Sequence, residues 1–180
     1  SHSEQIKWGN ESVFNEEHNT LGLFSGVLGG QIVLAGGTSD DYSRWGRNAV
    51  CLSENAGFAL YEDVLSKPLA YGASITLSDG ILCIGGRDSS QCYKDVFLVT
   101  MQQGKLNVSE DWPPLPFPLS NAAGALLDNK VYLFGGRKSV SPSRLSDSFF
   151  VLDLSNKSRG WKELPGYPGC VREDAILVVQ

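Results

Sequence analysis

A repeat of about 50 residues constrains the fold of this chain more than any other feature of its sequence. Three segments align without gaps and each ends in a pair of glycines: LFSGVLGGQIVLAGG at residues 23–37, GASITLSDGILCIGG at 72–86 and AAGALLDNKVYLFGG at 122–136. The first glycines of these pairs lie 49 and 50 residues apart. Such self-similarity predicts a stacked repeat protein, in which each unit buries its apolar faces against its neighbours.

Each aligned segment reads as two short strands joined by a tight turn. The turn residues are Gly29-Gly30, Asp79-Gly80 and Asp128-Asn129, all of types that tolerate the positive φ angles of hairpin turns. We therefore predict that these hairpins are the inner two strands of successive four-stranded units.

A period near 50 residues is typical of kelch repeats, whose units are the four-stranded blades of a β-propeller. We predict an all-β, kelch-type β-propeller with about three and a half blades in this chain. The expected blades lie near residues 20–70, 71–120 and 121–168, with an incomplete blade at 169–180. Because propellers close with about four to eight blades, we expect a remainder outside these blades, and we expect the whole to be a six-bladed propeller. The remainder would be another chain, a partner copy of this chain, or a lost segment.

Two stretches depart from the regular pattern. Residues 38–59 read as a long polar insertion in the first repeat, followed by a possible strand at 60–65. Residues 170–179 read as the inner strand of a fourth blade.

Composition and motifs exclude several functional classes. The formal net charge is −5 and the charges are interspersed, so we expect no nucleic-acid partner. No segment has the roughly 20 apolar residues of a membrane helix, and we expect no membrane partner. The four cysteines lack C-x-x-C spacing and the two histidines lie far from them, which argues against a metal site. Phosphate-loop, dinucleotide, zinc-protease and nucleophile-elbow motifs are absent from the sequence.

Candidate ligand contacts lie in the loops that enter a first strand or leave a second strand, because these loops converge on one face of a propeller. Five residues are predicted to contact a ligand there: Tyr71, Arg87, Asn121, Arg137 and Arg172. Each arginine could pair with a carboxylate, so an anionic ligand is favoured. Alternatively, each arginine bonds a neighbouring loop carboxylate or carbonyl, and Tyr71 and Asn121 serve as structural caps.

Several stretches resemble one kelch family. They are Tyr71-Gly72-Ala73-Ser74 leading to Ile84-Gly85-Gly86, PLPFPLSN at 114–121, and REDA at 172–175. Over most of residues 20–180 the chain resembles the sialic acid mutarotases, also called N-acetylneuraminate epimerases. It looks most like their circularly permuted branch, because the part similar to the family's last blade precedes the part similar to its first.

The resemblance implies an isomerase that interconverts the α and β anomers of N-acetylneuraminate by acid–base ring opening. It also implies no cofactor, a small anionic sugar as ligand, and an extracytoplasmic setting, periplasmic or secreted. The family's catalytic glutamate lies in an N-G-E-x-K-P-G-x-R-like stretch that nothing here matches; in the permuted order it would follow Gln180. We therefore assign no catalytic residue and predict that this chain alone is inactive.

Two other functions stay open from the sequence. A kelch module can hold a protein partner with the same loops and perform no chemistry, and the exposed aromatic residues it would need could be Tyr42 and Trp45. A kelch-type sugar oxidase would need copper ligands, and His2 and His18 are poorly placed to supply them.

Overall fold

The computed structural model describes residues 7–9, 19–166 and 174–179. Within them the chain forms three antiparallel sheets of four or five strands that follow one another along the sequence, which we number as blades 1 to 3, and one two-stranded sheet. Blade 1 contains β1 (Lys7–Gly9), β2 (Leu21–Leu28), β3 (Gln31–Thr38), β4 (Ala49–Ser53) and β5 (Gly57–Tyr61). Blade 2 contains β6 (Ala73–Thr76), β7 (Ile81–Ile84), β8 (Val96–Gln102) and β9 (Lys105–Ser109).

Blade 3 carries two additions to the four-stranded pattern. Its strands are β10 (Ala123–Leu127), β11 (Lys130–Phe134), β14 (Phe149–Asp153) and β15 (Lys162–Leu164). A separate small hairpin of β12 (Arg137–Ser139) and β13 (Arg144–Leu145) projects between β11 and β14, and a 3₁₀ helix, Leu154–Arg159, connects β14 to β15. No helix in the described part of the chain is long and apolar enough to cross a membrane.

The three predicted inner hairpins are confirmed as β2–β3, β6–β7 and β10–β11. Gly29-Gly30 and Asp128-Asn129 have the positive φ angles expected of their turns. The prediction is wrong for Asp79-Gly80, since neither residue has positive φ. Gly80 is needed there for space instead, because a Cβ atom would lie 2.7 Å from the Val99 carbonyl oxygen.

The predicted insertion in blade 1 is much shorter than residues 38–59. Strand β4 lies inside that range and pairs with β3 on one side and with β5 on the other. The predicted strand at 60–65 is wrong because β5 ends at Tyr61. β1 adds a fifth strand at the outer edge of β5. The polar loop is therefore confined to residues 39–48, between the end of β3 and the start of β4. The sequence did not show this, because β4 is recognised as a strand only by its pairing with β3 and β5.

The predicted inner strand at residues 170–179 does not form at its described part, 174–179. A strand is defined by ladder hydrogen bonds to a neighbour, and none of the described strands pairs with this segment. Residues 170–173 lie outside the described residues.

The apolar core is divided between the two junctions of neighbouring blades. At the first junction Phe24, Val33 and Ala35 of blade 1 pack with Ile81 and Phe97 of blade 2. Side chains on alternate positions of a strand point to opposite faces, so the intervening residues of blade 2 face the other way.

At the second junction Leu82 and Ile84 of blade 2 pack against Val131, Leu133 and Phe150 of blade 3. The blades therefore stack face to face in chain order, with the inner strands β2, β6 and β10 next to one another.

The glycine pairs let one blade approach the segment that joins it to the next. The Gly86 N–H donates to the Leu119 carbonyl, with N and O 2.8 Å apart. Gly85 has φ of 64°, and a Cβ atom on it would lie 2.2 Å from the same carbonyl oxygen. Only glycine fits a position that combines positive φ with such close backbone contact.

Candidate functional site

The beginnings of the first strands are joined from blade to blade by backbone hydrogen bonds. Tyr71 N–H donates to the Gly22 carbonyl (2.8 Å), Asn121 N–H to the Tyr71 carbonyl (2.7 Å), and Asp174 N–H to the Asn121 carbonyl (3.0 Å). All four residues have φ between 53° and 63°. We call this end of the blades the rim: these four residues, together with Thr38, Arg87 and Arg137 where the second strands end.

Asp174 extends the series of bonds beyond blade 3. It occupies the place relative to Asn121 that Asn121 occupies relative to Tyr71. Residues 174–179 therefore follow blade 3 at the position where a fourth blade would begin, although they form no strand.

Tyr71 adopts a backbone conformation that is unfavourable for a bulky residue. Positive φ is uncommon outside glycine, and only asparagine, aspartate and histidine are notably enriched among the exceptions. At the same position blade 1 has Gly22 and blade 3 has Asn121. The left-handed conformation thus recurs at the start of each blade, and it is less favourable for the tyrosine side chain than for glycine or asparagine.

Arg87 and Arg137 occupy equivalent rim positions in blades 2 and 3. Arg87 exchanges two backbone hydrogen bonds with Ala70 (2.8 and 2.9 Å), and Arg137 does so with Ser120 (2.7 and 2.9 Å). The structure thus places both arginines beside the residues that precede Tyr71 and Asn121, at the rim as expected from sequence. Their contact with a ligand stays a prediction, and Arg172 lies outside the described residues.

The Arg87 side chain lies on an aromatic ring from the neighbouring blade. Its guanidinium carbon is 5.2 Å from the centre of the Trp45 ring, a distance at which a cation is attracted to the ring face. The Nε atom donates to the Asp88 carbonyl, 3.1 Å away. Arg87 is half-buried, and these two contacts hold the guanidinium group in place.

Tyr71 contacts a second tyrosine across the same junction. The Tyr71 and Tyr42 hydroxyl oxygens are 3.2 Å apart, and their rings stack with centroids separated by 6.4 Å. Partial burial, the hydrogen bond with Tyr42 and the negative charge of Asp174 together raise the pKa of Tyr71 to about 12, against the opposing effect of Arg87. Tyr71 is therefore protonated at neutral pH and can donate a hydrogen bond.

The loop of residues 39–46 positions Tyr42 and Trp45 through bonds within itself. The Asp41 carboxylate accepts hydrogen bonds from the hydroxyls of Ser39 and Ser43, both 2.7 Å. These bonds lower the pKa of Asp41 to about 2, so the carboxylate is charged at neutral pH. Trp45 Nε1 donates to the Tyr42 carbonyl at 3.0 Å. These side-chain hydrogen bonds fix the conformation of the loop.

The Asn121 side chain is occupied by neighbouring residues. Its Nδ2 atom donates to Asp174 Oδ1 at 2.9 Å, and its Oδ1 atom accepts from the Ser120 hydroxyl at 3.0 Å. These contacts fit the alternative in which Asn121 is a structural cap. Asp174 was not among the predicted site residues. It lies 53 residues after Asn121, outside the spacing of 49 and 50 residues that relates Gly22, Tyr71 and Asn121, so the period did not indicate it.

Comparisons with known proteins find one kelch repeat and distant relatives. The Kelch motif matches residues 118–165. The N-acetylneuraminate epimerase of Yersinia pestis (strain Pestoides F) is 32% identical over 71 residues, which are 39% of this chain and 16% of that protein. The N-acetylneuraminate epimerase of Vibrio cholerae serotype O1 is 31% identical over 87 residues, which are 48% of this chain and 21% of that protein. The matches thus cover about a fifth or less of these relatives.

A solved structure shares the fold at low sequence identity. The structure of YjhT matches with a TM-score of 0.69 at 11% identity, covering 86% of this chain and 58% of that chain. This likeness, the Kelch motif and the four-stranded antiparallel sheets confirm the fold prediction. The chain folds into about three to four blades of the β-propeller type, carries a Kelch motif, and has partial homology to N-acetylneuraminate epimerases.

Proposed function

We propose that this chain forms the carboxylate-binding part of an N-acetylneuraminate epimerase (mutarotase), which interconverts the α and β anomers of that acidic sugar. The observation that carries the proposal is the half-buried Arg87 guanidinium, held against Trp45 and next to Tyr71 at the rim. A fixed guanidinium group pairs with a planar carboxylate in bidentate geometry. The partial homology to N-acetylneuraminate epimerases supports the choice of sugar.

Anomer exchange requires opening and reclosing a hemiketal ring. One group must protonate the ring oxygen while another removes the proton of the anomeric hydroxyl. Because Tyr71 has a pKa of about 12, it can donate a hydrogen bond to the sugar but is a poor general base at neutral pH. In this proposal the described rim binds and orients the sugar, and the acid–base pair comes from blades outside this chain.

Those further blades would cover the face of blade 3 that points away from blade 2. Tyr132, Phe134, Phe149 and Val151 lie on this face and are only partly buried, although an aromatic cluster links the first three. Apolar faces of this kind are normally covered in propellers. We propose that another chain or a further segment supplies the cover, starting at the position of Asp174.

Ligand titration tests the proposal. We expect the purified chain to bind N-acetylneuraminate but not the uncharged sugar N-acetylmannosamine, as measured by calorimetry or NMR shifts. Arg87→Ala should weaken binding by at least about tenfold, because a charge-assisted hydrogen-bond pair is lost. Arg159→Ala, an exposed arginine at the end of the 3₁₀ helix, is the matched control and should bind like the wild type.

Equal affinity for the charged and uncharged sugars, or none for either, would overturn the proposal. The second outcome, combined with a specific protein captured through Tyr42, would favour the alternative of a kelch protein-binding module. A separate NMR assay of anomer exchange should show the spontaneous rate with this chain alone. A faster rate would place the acid–base pair within the chain and contradict its assignment to further blades.

A further inference from the structure

The loop between β3 and β4 brings three aromatic rings together at the junction of blades 1 and 2. Tyr42 and Trp45 come from the loop, with ring centroids 6.2 Å apart, and Tyr71 comes from the start of blade 2. We call these three residues the aromatic shelf. Because Arg87 lies over Trp45, the shelf and the guanidinium group form one continuous surface.

The exposure of Tyr42 has no explanation in the packing of the fold. Its side chain is 49% exposed, and its φ of 59° is unfavourable for an aromatic residue. The neighbouring bonds to Asp41 come from the Ser39 and Ser43 hydroxyls and from the Ser43 N–H, and they do not involve the tyrosine ring. The loop therefore presents a ring that the core does not use, at a cost in backbone strain.

The chemistry of the shelf suits the uncharged part of a sugar. Small-molecule sites combine aromatic surface with a few polar groups that fix orientation, and tyrosine supplies both an apolar face and a hydroxyl. Here the Tyr42 and Tyr71 hydroxyls lie 3.2 Å apart beside a cation. A ligand with a carboxylate and a ring rich in C–H groups could contact all of these at once.

A protein partner fits this surface less well. Stable protein interfaces bury about 800 Å² on each side, whereas Tyr42 is the one largely exposed aromatic residue in the described part of the chain. The other two shelf residues are half-buried. The surface has the extent expected for a small ligand.

We propose that the aromatic shelf binds the C–H face of the sugar whose carboxylate is bound by Arg87, so that Tyr42 selects sugars over other small carboxylates. This inference rests on the proposed function, because it takes the ligand to be a carboxylated sugar. It adds a specificity role for a residue of the loop that links β3 to β4.

Tyr42 variants test the shelf by comparing two probes, N-acetylneuraminate and pyruvate, a carboxylate without a sugar ring. Tyr42→Ala should raise the Kd for N-acetylneuraminate roughly tenfold by removing the ring contact, and leave the Kd for pyruvate unchanged. Tyr42→Phe keeps the ring and should raise the Kd by about two- to threefold, through loss of one hydroxyl. Tyr61→Ala is the control, since Tyr61 bonds Gly104 in an outer turn.

The outcomes separate the shelf from the proposed function. Unchanged N-acetylneuraminate binding in Tyr42→Ala, with weakened binding in Arg87→Ala, would overturn the shelf and leave the carboxylate site standing. Equal weakening for both probes in Tyr42→Ala would also overturn it, because the tyrosine would then act by holding Arg87. Absence of N-acetylneuraminate binding in the wild type would overturn the proposed function itself.

Discussion

Blades 2 and 3 repeat the same strand pattern but differ in how many of their faces are covered. In blade 2 Leu82, Ile84, Val96 and Leu98 are at most 6% exposed, because blade 3 packs on them. Their equivalents in blade 3, about 50 residues later, are Tyr132, Phe134, Phe149 and Val151, and all four are partly exposed. The same alternation of apolar residues thus yields full burial in one blade and partial burial in the other.

This difference shows that the burial of a blade's apolar face depends on the neighbouring blade. The alternating pattern decides which side chains share a face, but only a packed partner removes that face from water. Blade 3 uses three aromatic rings where blade 2 has two β-branched residues and two leucines. These larger side chains bury part of their surface against one another.

The largest expected difference between the two blades is in the loss of stability when equivalent side chains are truncated. We expect Leu82→Ala to lower the free energy of unfolding by about 3 kcal/mol, because it leaves a cavity at a fully buried site. Tyr132→Ala, at the equivalent position, should cost about 1 kcal/mol or less. Urea unfolding followed by circular dichroism measures both. Equal losses would mean that the face of blade 3 is covered in solution, for instance by a second copy of the chain.

The contact between blade 2 and its join to blade 3 predicts a second effect. Gly85→Ala should destabilise the chain by about 3 kcal/mol, because it combines positive φ with a carbonyl oxygen 2.2 Å from the new Cβ atom. Gly104→Ala is the matched control, since Gly104 has φ of 74° with no atom within 4 Å of a Cβ.

This control isolates the conformational cost, which is about 1 kcal/mol. Thermal unfolding of the two variants measures the difference between them. If Gly85→Ala were no worse than Gly104→Ala, the close approach at the join would not contribute to stability.

A smaller difference between blades 2 and 3 concerns the acid dependence of stability, because only blade 2 has a carboxylate directly after the arginine that follows its glycine pair. Partial burial disfavours charge on Asp88 of blade 2, but hydrogen bonds from the Tyr93 hydroxyl and from the Ser90 and Gln91 N–H groups outweigh it and lower the pKa of Asp88 to about 2. Blade 3 has Lys138 at the equivalent position. Because the folded pKa is below the ordinary 3.8, Asp88 stabilises the fold above about pH 4 and loses this effect as the pH falls towards 2.

Asp88→Asn should therefore cost about 1 kcal/mol at pH 7, after allowance for solvent screening, and progressively less below pH 4. Urea unfolding at pH 7, 4 and 3 measures this trend. Tyr93→Phe should act in the same direction with a smaller change, because it removes only one of the hydrogen bonds that the Asp88 carboxylate accepts. A cost independent of pH would show that the charge of Asp88 is not involved.

Much of the rim could be located from the sequence, because its positions follow from the period. Tyr71, Arg87, Asn121 and Arg137 were predicted there since each adjoins an aligned strand, and the structure places them at that end. The contact of Arg87 with Trp45 could not be predicted, because the course of a polar loop is decided by contacts between residues far apart in the chain. For the same reason, β4 and the start of β5 were interpreted as part of an insertion.

The repeat, the inner hairpins and the glycine pairs could be read from the sequence, because these depend on local alternation, turn residues and backbone freedom. Which blade faces are buried and which rings meet at the rim depends on tertiary packing. Tyr42 and Tyr71 are 29 residues apart in sequence, and their hydroxyls meet because blade 1 packs on blade 2. Contacts of this kind arise from the stacking of whole blades, which no single repeat encodes.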